Sequence, residues 1–147
     1  MVTELERAAD EAKKLALAVL ADSEANGFRP GAATAREARQ LGRLAALMIR
    51  AALEAFDRLD PAAAVAVIKQ DQEMDSEYAA ALRRILTRAM EDARQVQAAI
   101  EAAFIMRSLE RIGDHARNIG RHVGFIGGDF DSAATTVWST EFRVRAD

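Results

Sequence analysis

No proline or glycine interrupts the chain from Ala62 to Ile112. These two residues are the main helix breakers, so the whole stretch reads as helix. Continued to Ile126, it would form a single helix on the order of 100 Å long at about 1.5 Å per residue. A compact domain of 147 residues cannot hold such a rod, so the chain must turn back within it. The turn is placed at Glu91–Asp92, with Asp92 as cap and Gln95 reaching back as its capping-box partner. The remaining composition agrees: 33 Ala stand against 8 Gly and 2 Pro, and Ala is the best helix former. The expectation is an all-α, up-down helical bundle.

Start and stop signals mark the other helices. Helix 1 covers Thr3 to Ala25, with Leu5, Ala8, Ala12, Leu15 and Val19 on one face. Breakers from Asn26 to Gly31 end it. Helix 2 opens at Thr34, where Glu37 three residues on completes a capping box. Its apolar face is Leu41, Leu44, Met48, Ala52, Ala55 and Leu59. Asp60 and Pro61 stop helix 2 and start helix 3, because aspartate caps free amides and proline suits the first helical position. Helix 4 follows Asp92 and ends near Gly124, Gly127 and Gly128. Met48, Met74, Met90 and Met106 read as core filler. The segment 127–147 lacks periodicity and reads as an irregular tail.

Several function classes drop out. The net charge is −3, and nucleic-acid binding needs a concentrated positive field. Cysteine is absent, which removes disulfides, thiolate metal sites and cysteine nucleophiles. There is no signal-peptide pattern and no apolar run long enough to span a bilayer, so a cytoplasmic location is expected. No nucleophile, histidine and acid are grouped around a glycine-rich elbow. No Glu-x-x-His occurs, as a di-iron bundle would require.

Carboxylates stand in unusual places. Helix 3 carries a seam of Ile68, Asp71, Asp75, Tyr78, Leu82, Ile85 and Ala89 at alternating steps of 3 and 4. Asp71 and Asp75 therefore stack on one face, where like charges repel. Helix 4 has the seam Ile105, Leu109, Ile112, Ala116, Ile119 and Val123, with Glu110 and Asp114 beside it. Gly113 sits between them at a cost of about 1 kcal/mol relative to Ala, which suits a close approach by another group. Two helices with acid pairs can face each other and offer four carboxylates to a metal ion. Arginine partners such as Arg107, Arg111 and Arg117 are the other way to offset these charges.

The chain also repeats itself. Leu5 to Ala12 (LERAADEA) matches Leu109 to Ala116 (LERIGDHA) at five of eight positions, 104 residues apart. The seam of helix 1 shifts by the same interval onto that of helix 4. Helix 1 then reads as the last helix of one unit, and helices 2 to 4 as a complete second unit.

The segments DQEMD (Asp71 to Asp75) and LERIGDHARNI (Leu109 to Ile119) resemble the PhoU family of phosphate-uptake regulators. The resemblance implies two similar three-helix bundles, each with an acid pair on two of its helices. Residues 1–25 would be the last helix of an incomplete first repeat, 32–126 a complete unit, and 127–147 the tail, in a member shortened at its N-terminus. It implies iron or zinc, as a multinuclear cluster, held by Asp71, Asp75, Glu110 and Asp114, with Glu6 and Asp10 matching the motif of the first bundle. It implies a non-enzymatic negative regulator that contacts the phosphate ABC transporter's ATPase subunit and the phosphate sensor kinase, at the inner face of the membrane. The unmatched seam of helix 1 can be covered by folding back on helices 2 to 4 or by a second copy of the chain, and the homodimer is the expectation. The alternative is a metal-free helical adaptor whose acidic seams are paired by arginines.

Overall fold

The computed structural model describes residues 1–26 and 31–126. Among them are four α-helices: α1 (Val2–Asn26), α2 (Ala32–Asp57), α3 (Pro61–Glu91) and α4 (Val96–Ile126), with a short 3₁₀ turn at Ala93–Gln95. The tail expected at 127–147 lies outside the described residues. The expected helix-2-to-3 and helix-3-to-4 breaks are both present. Asp60 caps α3 by accepting from the amides of Ala62 and Ala63 at 2.9 and 3.1 Å. Asp92 caps the turn before α4 by accepting from the amide of Arg94.

The start of α2 differs from expectation. Its N-cap is Gly31, without a side-chain cap hydrogen bond, and Thr34 lies inside the helix. Glu37 is no capping-box partner. It crosses to α3, where Arg84 donates to both of its carboxylate oxygens at 2.7 and 2.6 Å. A two-pronged charged contact outweighs a local cap bond.

α2, α3 and α4 pack against one another, and α1 packs on α4. The contacts fix directions. Gln40 bonds Glu77 while Glu37 bonds Arg84, so α2 and α3 are antiparallel. Gly113 approaches Met74 and Gly120 approaches Ala64, so α3 and α4 are antiparallel too. The largest fully buried side chains are Leu41, Met48, Met74, Met106, Ile119, Val67 and Val123. Three of the four methionines read as core are buried; Met90 is 88% exposed near the end of α3.

Two faces are rotated from the expected seams. On α3, Asp71 and Ile85 are buried as expected, but Met74 and Ala81 take the places assigned to Asp75 and Leu82. On α1, Ala12 and Val19 are exposed, and the stripe buried against α4 is Glu4, Ala8 and Glu11. The reason is polar: both glutamates find partners on α4.

Candidate functional site

The antiparallel crossing of α3 and α4 brings Asp71 opposite Asp114. α4 comes close because Gly113 has no β-carbon; one placed there would lie 3.1 Å from Met74 Cγ and 3.5 Å from Met48 Sδ. At Gly120 a β-carbon would meet the backbone oxygen of Ala64 at 3.2 Å. The mid-helix glycines thus serve helix packing.

Arg117 lies one helical turn beyond Asp114 and fills the space between the two acids. Its Nη1 donates to Asp71 Oδ2, and its Nη2 lies 2.8 Å from Asp114 Oδ1. The Arg117 side chain is only 14% exposed, and its Nε is buried without a hydrogen-bond partner. Burial pushes the Asp71 carboxyl up, with Asp75 and Asp114 adding to it, while Arg117 pulls the other way. Burial also works against the Arg117 charge, but Asp71, Asp114 and Asp75 together hold its pKa above the ordinary arginine value.

Glu110 is the second buried acid. Arg107 donates to its Oε1 at 2.7 Å, and the Arg107 guanidinium lies 6.0 Å from the centre of the Tyr78 ring, a cation–π distance. Its Oε2 is buried with no hydrogen-bond partner. Burial pushes the Glu110 carboxyl up to about 7, helped by Asp114, Asp75 and Asp71 and opposed by Arg107. Asp75 is exposed, yet its charge reaches Asp71 and Glu110. The four acids therefore form one electrostatic neighbourhood. Among the described residues, no three His, Asp or Glu side chains are arranged to hold one ion.

Glu6 and Asp10 lie on the exposed side of α1, away from this neighbourhood. The inward acids of α1 are Glu4 and Glu11, which sequence reasoning missed. Glu4 Oε2 lies 2.8 Å from His115 Nδ1 and accepts from Asn118 Nδ2 at 3.0 Å. Burial pushes Glu4 up, but the bonds from His115 and Asn118 and the charges of His115 and Arg7 outweigh it, so its pKa falls below the usual value. The ionised carboxylate can only accept, so His115 Nδ1 carries the proton. Glu11 is buried beside Lys14 at 3.0 Å and Arg111 at 3.4 Å. The spacing 4, 8, 11 was a visible stripe, but two of its three members are charged, so an apolar search passes over it.

The family model described as "PhoU domain" matches residues 38–123. The chain is 41% identical over 125 residues to the phosphate-specific transport system accessory protein PhoU homolog of Pseudomonas putida, covering 85% of this chain and 48% of the relative. It is 33% identical over 137 residues to phosphate-specific transport system accessory protein PhoU of Serratia marcescens, covering 87% and 55%. The crystal structure of PhoU from Pseudomonas aeruginosa superposes with a TM-score of 0.73 at 40% identity, over 83% of this chain and 57% of that one. The helical bundle is thus the fold of a class of proteins named as accessories of the phosphate-specific transport system. The chain belongs to the PhoU family, and it spans about half the length of the curated relatives it matches.

Proposed function

We propose that the chain is a regulatory accessory of phosphate uptake and phosphate-starvation signalling that turns over no substrate. The observation that supports this most is the family match across α2 to α4, together with relatives named for the phosphate-specific transport system. The protein lowers uptake by contact with the transporter's ATPase subunit and the sensor kinase, from the cytoplasmic side. No described helix is long and apolar enough to cross a membrane. Immobilised ATPase subunit and kinase should each be tested for saturable retention of the chain. Retention of a full-length relative but not of this chain would overturn the reading.

Metal binding is part of the proposal. Asp71, Asp75, Glu110 and Asp114 suit a cation chemically, since the acids share one field and Glu110 has a buried oxygen without a partner. Oxygen ligands favour hard cations; iron or zinc is proposed from the family resemblance. The ion would supply positive charge to the cluster, and the carboxylates of Asp71, Asp75, Glu110 and Asp114 would have to draw together to hold it. Elemental analysis after metal loading should give stoichiometric metal; less than about a tenth of an ion per chain would sink this part. A second reading, the metal-free adaptor, is favoured by the ion pairs of Arg117 and Arg107 with the same acids.

We also propose a homodimer through the outer side of α1, where Leu17, Val19 and Leu20 are 55%, 42% and 59% exposed. Light scattering at micromolar concentration should give twice 16.0 kDa; a persistent monomer mass would contradict it.

A further inference from the structure

We propose that Arg117 is a built-in counter-cation of the carboxylate site, which must withdraw before a metal ion can bind. The inference rests on the metal reading above and adds a residue that controls it. Arg117 uses both terminal nitrogens on Asp71 and Asp114, one acid from each helix. A divalent cation would need oxygens of the same two carboxylates, so the two cannot be bound together. Like charges on facing helices would otherwise push α3 and α4 apart. Arg117 offsets that repulsion in the metal-free chain, which lets the bundle close without metal.

The geometry makes Arg117 a removable occupant. Its hydrogen bonds are at its tip: its Nε has no hydrogen-bond partner, so the two carboxylates are its polar anchors. Asp114, at 29% side-chain exposure, opens one side of the bridge to water. A long, flexible side chain beside such an opening can swing out without moving its helix. Withdrawal exchanges a buried guanidinium for an exposed one, so the metal-loaded and metal-free states present different charges at the surface.

The test compares the 147-residue chain with Arg117→Gln and Arg117→Lys. Zn²⁺ and, under anaerobic conditions, Fe²⁺ affinities are measured by equilibrium dialysis, and metal-free melting temperatures are measured in chelator. Removing one charge-assisted competitor predicts at least about tenfold tighter Zn²⁺ binding in Arg117→Gln, together with a lower metal-free melting temperature. Arg117→Lys keeps a charge and should lie between the two. In the unmodified chain, the side-chain ¹⁵N resonances of Arg117 should shift towards exposed-arginine values on Zn²⁺ addition, a readout that survives if Arg117→Gln fails to fold. Metal binding with equal affinity in all three chains and an unmoved Arg117 signal would overturn the proposal and leave the metal reading standing. No binding of either ion by any of the three would overturn the metal reading, and the proposal with it.

Discussion

Glu4 and His115 stand 111 positions apart in the chain, yet their Oε2 and Nδ1 atoms meet at 2.8 Å in a buried contact. With Asn118 on the same oxygen, this is the best-satisfied polar junction between α1 and α4. Glu4→Ala leaves a buried imidazole and an amide without their acceptor, so it should destabilise the chain by about 1–3 kcal/mol. Glu6→Ala, on the exposed side of the same helix, should change stability by less than about 0.5 kcal/mol. Urea unfolding of both variants checks this; equal effects would refute the docked face of α1 described above.

Stability should fall with rising pH across a defined window. Glu110 is pushed up to about 7 in the folded chain, by burial first and by Asp114 next, against an ordinary value of 4.5. The folded state therefore holds a proton that the unfolded state has lost, and the linked stability is greatest below 4.5 and disappears as pH rises through about 7. Glu37, held below its usual range by Arg84, acts in the opposite sense, and its contribution is lost in acid. In chelator, urea midpoints should decline from pH 5 to pH 8, and Glu110→Gln should flatten that decline. An unchanged slope in Glu110→Gln would assign the effect to another group.

The two mid-helix glycines should respond differently to alanine. Each substitution gains about 1 kcal/mol of helix propensity. At Gly120 the new β-carbon would press on the backbone oxygen of Ala64 at 3.2 Å, next to Val67 Cβ at 3.5 Å. Backbone cannot yield without moving α3. At Gly113 the tight contacts are to Met74 Cγ at 3.1 Å and Cε at 3.3 Å, and methionine adapts more readily. Gly120→Ala should therefore destabilise by about 1–3 kcal/mol, and Gly113→Ala by clearly less. Thermal melts of the pair decide it; the reverse order would contradict the packing assigned to these positions.

What the sequence made legible was local chemistry. Asp60–Pro61 and Asp92 announce chain turns through bonds made within a few residues: Asp60 caps α3 as read, whereas Asp92 caps the 3₁₀ turn that leads into α4, and its amide bonds Arg88 instead of entering a capping box. The buried line of Leu41, Met48, Ala52 and Ala55 was readable because charged and apolar residues alternate clearly on α2. On α3 the contrast is poorer: Met74 and Asp75 are adjacent, Ala81 directly precedes Leu82, and a shift of one residue decides which line is buried. Thr34 and Glu37 have a correct capping-box spacing, but Arg84 competes for Glu37 from 47 positions away. Arg117 could be named as one possible partner for the acids, but not as the residue joining Asp71 to Asp114, because that depends on how two helices cross.

Phosphate uptake is the most direct test of the regulatory reading. In a bacterium deleted for its own full-length relative, ³²P-phosphate uptake under phosphate-replete conditions is measured with and without expression of this chain. The account predicts that the chain lowers the unrestrained uptake rate, and that combined Asp71→Ala and Asp114→Ala substitutions weaken that effect while the protein stays folded. Uptake unchanged by a folded, expressed chain, in a strain that the full-length relative does restore, would contradict it.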